Sequence, residues 1–583
     1  MTPLFRASLL AREFAHNRRF ERAAADPRSS QAEVLLSLTR RNRATAFGRE
    51  HRFETVRAPE DFARHVPVRD YEGFRPYVER ILETEPGVLT ADRVTMFATT
   101  SGTTAEPKLV PVTDRWREQM ASLMRLWMYR ALGAHPRYLD GKVLLVVGPA
   151  VEGHTSAGTP FGSLSGMTYQ RIPTLVRRSY AVPYEVALVE DCDIRHLLTM
   201  RLALARSVSA VGTPNPTSLV RLAETAMAHS EEIVRAVHDG TIGAPDEALD
   251  TCHGGVADRL RANLLPDPGR ARFLERVVAE HGALVPGACW PELDLVGCWL
   301  GGAAGLHAQR LRTYFGDGSA LRDLGLLASE GRMTIPVEDS TPAGPLAVHA
   351  NYYEFIPHDA IDDVSPPVLG AHELDLGGRY YILLTGGNGL YRYDINDVVE
   401  VVGFHRATPK LAFVRKGREM ASITGEKLHV NQVRTAVGQA GRQTRLAVVE
   451  FRLIADERAL RHDLLVEFEG PVPDQPSLVD FLERFEHNLQ AQNQEYRSKR
   501  RSRRLAAPRL LVMRGGWSEE ICRSDFRRGR RESQHKWKAI GVPWDQVSRE
   551  SVVRCVTLDA DGEGQRTTRD RQEVGPASEG HAT

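Results

Sequence analysis

The sequence predicts an α/β protein: a large N-terminal domain of β-sheets flanked by helices, with a β-rich subdomain at its end, then a small C-terminal α/β domain. Three observations carry this. Short apolar runs (Val143–Gly148, Ser207–Val211, Leu293–Leu300) alternate with glycine-rich loops and helical periodicity, as in a parallel sheet covered by helices. From about residue 345 the texture changes to short strands divided by Gly, Asp and Asn turns. At 583 residues the chain exceeds one ordinary core.

In chain order, residues 1–90 read as mostly helical, with turns around Pro59 and Pro67. Leu4, Phe5, Leu9, Leu10 and Phe14 give the start an amphipathic face, and its Arg and Glu residues deny it the apolar core of a signal peptide. From Asp114 to about Leu132, Trp116, Met120, Leu123, Met124, Trp127 and Ala131 recur at helical spacing. This face either packs as core or, at Trp116, Met120 and Met124, walls a pocket for an apolar acid. Val143–Gly148 predicts a strand buried on both faces, and Gly153–Gly166 a loop. Ser207–Val211 reads as a strand and Leu219–Ala228 as a helix. Leu293–Leu300 is a strand running into the loop Gly301–Gly305, and Leu321–Leu327 leads into Ala328-Ser329-Glu330-Gly331. The β-rich part holds Tyr352–Ile356, Tyr380–Leu384, Val398–Phe404 and Leu411–Val414. Beyond Gly417 come strands Arg445–Ile454 and Leu464–Phe468, a helix Leu478–Ala491 and a strand Arg509–Met513. The expected boundaries are 1–416, 417–558 and a disordered tail at 559–583, where large apolar residues almost vanish.

A hydrophobic content of 42% and a charged content of 26% suit a soluble globular protein. The net charge of +1 gives no general attraction to nucleic acid or acidic membrane, and neither is expected as a partner. The basic run Arg497–Arg504 reads as a solvated helix end rather than a nucleic-acid patch. Six scattered cysteines, none in C-x-x-C, read as reduced core thiols, and a cytoplasmic protein is expected.

The chemistry centres on Thr99–Pro111, TTSGTTAEPKLVP. Ser101, Thr103 and Thr104 around Gly102, followed by Lys108, form a cradle for a polyphosphate. It is not a Walker loop, because Leu-Val-Pro follows the lysine where Ser/Thr and a helix are needed. Glu330 follows an apolar strand, at the kind of sheet edge where α/β proteins bind ligands. It is either a cap or ion-pair partner, or a Mg²⁺ ligand against phosphates. Asp397, after the turn-like Tyr391-Arg392-Tyr393, can accept both hydroxyls of a ribose. Gly417-Arg418 and Gly425-Glu426-Lys427-Leu428 place basic residues in a glycine-punctuated stretch that reads as a linker or as part of a site.

In that order these segments resemble the adenylate-forming superfamily, and more closely the GH3 acyl-acid amido synthetases, over most of residues 30–540. The resemblance also rests on DFARHVPVRDYEGFRPYVERI (Asp61–Ile81), SAVGTPNP (Ser209–Pro216), WPELDLVGCW (Trp290–Trp299), NYYEFIP (Asn351–Pro357), GLYRYDINDVVEVVGF (Gly389–Phe404) and ESQHKWK (Glu532–Lys538). It implies that ATP, with Mg²⁺, and a carboxylic acid give an acyl-AMP and pyrophosphate, after which an amine, usually an amino acid, displaces AMP. By the same resemblance Ser101, Gly102, Thr103, Thr104 and Lys108 bind the phosphates. Gly302 and Ala303 lie by the adenylate, and Asp397 and Arg418 hold the nucleotide. Ser329 sits near the reacting carboxylate, Glu330 holds Mg²⁺, and Lys427 and Lys536 are catalytic. Two half-reactions with different charge patterns suit a mobile small domain turning about residues ~415–425. An acyl-CoA ligase, which shares the first half-reaction, is the alternative. Two positions depart from the usual patterns: Ala105 stands where the superfamily has glycine, and Asn396 where the family has glycine. Asn is the residue best able to take a glycine's place in a turn.

Overall fold

The computed structural model describes residues 3–100, 108–244, 249, 255–262, 264–361, 363–417, 420–518, 520–521 and 539–558. These residues gather into two compact units that divide after Gly417.

The first unit opens with helices Pro3–Ala25, Pro27–Asn42, Ala46–Glu50, Pro59–His65 and Tyr71–Leu82. The last shows why they form: Asp70 caps the Gly73 amide at 3.2 Å, and Tyr71, Phe74, Val78 and Ile81 turn one apolar stripe inward. A four-stranded sheet follows, ordered Lys108–Thr113, Val94–Thr100, Pro160–Gly162, Gly153–His154. The segment 153–166 is therefore not all loop, because Phe161 pairs in parallel with Phe97. Helix Asp114–Ala134, capped by Thr113 on the Trp116 amide at 3.1 Å, buries Trp116, Met120, Leu123 and Trp127.

Strands Lys142–Leu145, Val208–Gly212, Leu295–Cys298 and Ala320–Asp323 form an all-parallel sheet in chain order. Helices including Cys192–Leu204, Pro216–Ala228 and Gly302–Phe315 supply the crossovers, and Leu197, Leu219, Trp290, Val296 and Leu311 share its core. The strand expected at Val143–Gly148 is shorter and lies at the sheet edge, with only Leu144 fully buried.

A six-stranded antiparallel sheet ends the unit, ordered Gly344–Pro345, Thr408–Lys416, Tyr393–His405, Arg379–Thr385, Tyr352–Pro357, Leu369–Gly370. Its Tyr353, Phe355, Ile382 and Val399 share one core with Phe62 and Phe74 of the helices and Phe97 of the four-stranded sheet.

The second unit has a four-stranded sheet, Val448–Asp456, Arg461–Phe468, Arg509–Met513, Val552–Thr557, whose central pair is parallel. Helices Val430–Thr444 and Gln475–Gln492 cover it through Val433, Phe481, Leu453, Val466 and Leu510. The basic run contributes to helix Gln494–Arg501, as a helix end. Among the described residues Cys289 and Cys298 are core thiols, but Cys192 is half-buried and Cys555 exposed; Cys252 and Cys522 lie outside the described residues. Among the described residues no helix is long and apolar enough to cross a membrane. The tail at 559–583 lies outside the described residues.

Candidate active site

The run Leu321–Leu327 is not one strand. Gly325 takes φ +89, where a Cβ would sit 2.4 Å from the Thr334 carbonyl oxygen, and the chain turns there. Ala320–Asp323 stays in the parallel sheet, while Leu327–Ala328 pairs with Gly331–Arg332. Ser329 and Glu330 are thus the two tip residues of a tight hairpin. Glu330 is 4% exposed. The Tyr393 hydroxyl donates to its Oε1 at 3.3 Å, and Asn388 Nδ2 donates to its carbonyl at 3.3 Å. Burial raises the Tyr393 pKa well above its ordinary value, and the Glu330 carboxylate raises it further, so Tyr393 stays a donor. Ser329 Oγ donates to the Thr99 carbonyl at 3.5 Å, and Thr99 Oγ1 to Glu152 at 2.9 Å. The hairpin tip therefore rests against the strand that leads into the Ser/Thr loop.

Lys108 opens the returning strand, opposite Thr100. Its Nζ lies 5.3 Å from the centre of the Tyr71 ring. Burial lowers its pKa; Glu330, Asp70 and Glu72 pull it back up, and Lys416 pushes it down. Lys108 thus feels both Glu330 and the lysine that pairs with Asp397. Asp397 is 4% exposed and forms an ion pair with Lys416, its register partner on the neighbouring strand.

Asn396 lies inside strand Tyr393–His405 and not in a turn, yet it takes φ +58, the left-handed conformation that glycine would accept in its place. Its carbonyl accepts the Gly417 amide at 2.8 Å. A Cβ at Gly417 would lie 2.2 Å from Asn396 Oδ1 and 2.3 Å from Tyr381 Cε1, so any larger residue there would force these side chains to shift.

Gly302 and Ala303 are not in a loop but in the first turn of helix Gly302–Phe315, after strand Leu295–Cys298. Asp323 pins the approach, accepting the Leu300 amide at 2.6 Å. Burial raises the Asp323 pKa to about 7 despite its amide donors. Trp116 and Met120 are 1% and 8% exposed and belong to the main core, whereas Met124 Sδ lies 3.4 Å from Arg332 Nη1. Lys427, in the second unit, takes φ +47 just before strand Leu428–His429. Ser101, Gly102, Thr103, Thr104, Ala105, Arg418 and Lys536 lie outside the described residues.

The first unit thus gathers Glu330, Ser329, Lys108 and the Asp397–Lys416 pair. Sequence reasoning missed Tyr393, Lys416, Glu152 and Tyr71. One of them left a signal: counting outward from the turn Arg406-Ala407 brings Lys416 opposite Asp397.

Three family models match the chain in order: the GH3 family N-terminal domain over residues 16–320, the central domain over 344–416 and the C-terminal domain over 431–541. The indole-3-acetic acid-amido synthetase GH3.4 of Arabidopsis thaliana is 25% identical over 569 residues, covering 92% of this chain and 91% of the relative. The jasmonoyl--L-amino acid synthetase JAR4 of Nicotiana attenuata is 25% identical, covering 74% and 77%. The solved structure of the GH3.15 acyl acid amido synthetase has a similar fold, with a TM-score of 0.61 at 20% identity, covering 93% of this chain and 96% of that one. Since the models for all three domains match in their proper order and together take in most of its length, this chain belongs to the GH3 family.

Proposed function

We propose that the protein is an ATP-dependent acyl-acid amido synthetase. It joins a carboxylic acid to the α-phosphate of ATP, releasing pyrophosphate, and then passes the acyl group to the amine of an amino acid, releasing AMP. The observation that carries this reading is the gathering of Glu330, Lys108 and the Asp397–Lys416 pair at one place in a GH3 fold.

Each group has a task the chemistry needs. Attack of one anion on another must be screened, and Lys108, held within reach of the Ser/Thr strand, offsets part of the phosphate charge. Asp397 accepts the ribose hydroxyls, sharing its charge with Lys416. Ser329 orients the reacting carboxylate. Holding acid and nucleotide in line supplies much of the remaining rate. Lys427 and Lys536 bring cations from the second unit's sequence, and Arg418 and the Ser101–Thr104 hydroxyls complete the nucleotide grip.

Glu330 fits a Mg²⁺ ligand. It is a hard oxygen donor, and the Tyr393 hydroxyl meets only its Oε1. Among the described residues no group of three or more His, Cys, Asp or Glu side chains gathers for a metal. That suits Mg²⁺, which takes one or two carboxylates and completes its shell with phosphates and water. When bound, the ion neutralises charge on the triphosphate.

ATP–pyrophosphate exchange with a panel of carboxylic acids tests the first step, and product analysis with amino acids or CoA tests the second. Acid-dependent exchange followed by an amide is expected. Exchange with no acid, or a thioester in place of the amide, would overturn the reading.

A further inference from the structure

The turn that carries Lys427 is held from three directions. The Glu426 side chain folds back into it and accepts the Ile423 amide at 2.8 Å, the Thr424 amide at 2.8 Å and the Thr424 hydroxyl at 3.0 Å. His462 Nε2, from strand Arg461–Phe468, donates to the same carboxylate at 2.7 Å. Asn493, which caps helix Gln494–Arg501, directs Nδ2 at the Glu426 carbonyl (3.0 Å) and the Lys427 carbonyl (3.3 Å). The side chains of Glu426 and His462 are 0% and 1% exposed.

Such a pair is an expensive way to hold a loop. Two polar groups leave water, and apolar residues of the same volume often stabilise a fold as well or better. What this buried hydrogen-bonded network gives instead, even with His462 Nδ1 left without a partner, is a single backbone geometry. Here that geometry includes φ +47 at Lys427, a left-handed conformation that a long side chain rarely takes unaided. The carboxylate is spent wholly on the turn and on His462, so nothing in its surroundings asks for direct contact with substrate. Burial alone would raise the Glu426 pKa, but His462 and the backbone donors bring it below its ordinary value, which keeps the acceptor ionised.

We propose that Glu426 and His462 are positioning residues for Lys427. They fix the turn that aims its ammonium and act on the reaction through that lysine alone. The inference rests on the assignment of Lys427 to the reaction, and a mutant cycle separates the two claims. Lys427→Ala, His462→Ala, the double variant and His462→Gln are compared in amide formation over a range of ATP concentrations. His462→Ala should lower kcat by about 100-fold, the scale of a misplaced catalytic group, with KM for ATP little changed. His462→Gln, which restores a donor, should recover most of the loss. In the Lys427→Ala background His462→Ala should cost nothing further. Additive losses, or a fully active His462→Ala beside an impaired Lys427→Ala, would overturn the proposal. An unimpaired Lys427→Ala would remove the lysine assignment itself, and the proposal with it. Should His462→Ala not fold, Asn493→Ser keeps the helix cap, loses the amide clamp and must show the same non-additivity.

Discussion

Glu330 and Asp397 are both buried carboxylates, yet their neighbours give them different work. Glu330 has a neutral tyrosine hydroxyl on one oxygen and a lysine in electrostatic range. Glu330→Gln keeps the shape of the hairpin and removes the charge. Exchange should fall by about 100-fold or more, the usual cost of losing a charged group at developing phosphate charge, while the thermal midpoint stays put. Exchange near the wild-type rate would take Glu330 out of the site. Asp397 is paired, and cutting one partner from a buried pair strands the other, at a cost of about 3–5 kcal/mol. Asp397→Asn should therefore lower the midpoint and raise KM for ATP at once. The double variant Asp397→Asn/Lys416→Met should recover stability without recovering ATP binding. An unchanged KM in either variant would rule out the ribose contact.

At the scale of elements, one ion cluster ties three of them together. Glu21 of helix Pro3–Ala25 pairs with Arg130 of helix Asp114–Ala134 and with His405 and Arg406 at a strand turn. Burial alone would raise its pKa, but these partners lower it from 4.5 to about 2. A depressed carboxylate contributes stability above its unfolded pKa and loses it as pH falls through its folded one. The gap in thermal midpoint between wild type and Glu21→Gln should be full at pH 7 and shrink below pH 4.5; a gap that does not change with pH would mean the cluster holds by packing. Elements of this kind were only partly legible in the sequence. Periodic helices such as Asp114–Ala134 were plain, because Trp116, Met120, Leu123 and Trp127 repeat the stripe. Helix Val430–Thr444 was not, although Val430, Val433, Val437 and Ala440 keep the period, because Gly438 and Gly441 weaken any helical reading. Glu330 and Asp397 were marked by motif order. Tyr393 and Lys416, their partners, were not marked so: Tyr393 meets Glu330 from 63 residues away, and Lys416 lies opposite Asp397 only because two bulges in the pairing of Tyr393–His405 with Thr408–Lys416 cancel.

At the scale of the molecule, each compact unit has its own core. Leu428, Val433, Leu453, Val466, Phe481 and Leu510 of the second unit lie in one cluster with no member from the first. Residues 418–558 produced alone should fold cooperatively, with far-UV circular dichroism of a mixed α/β domain and a sharp melt. A broad, non-cooperative transition would show that this core needs the first unit. Within the first unit, Gly417→Ala would press a methyl into Asn396 and Tyr381, and should cost about 1–3 kcal/mol by overpacking, read as a lowered thermal midpoint. The close fit of Gly417 against Asn396 also sets where this protein can be cut and rejoined. Lys416 belongs to Asp397, and the Gly417 amide belongs to Asn396. A chimera that borrows a relative's C-terminal portion must keep its seam after Gly417. A seam even two residues earlier would import a foreign partner for Asp397, and with it a mismatch in the ribose contact we propose for that carboxylate, along with whatever new specificity was sought.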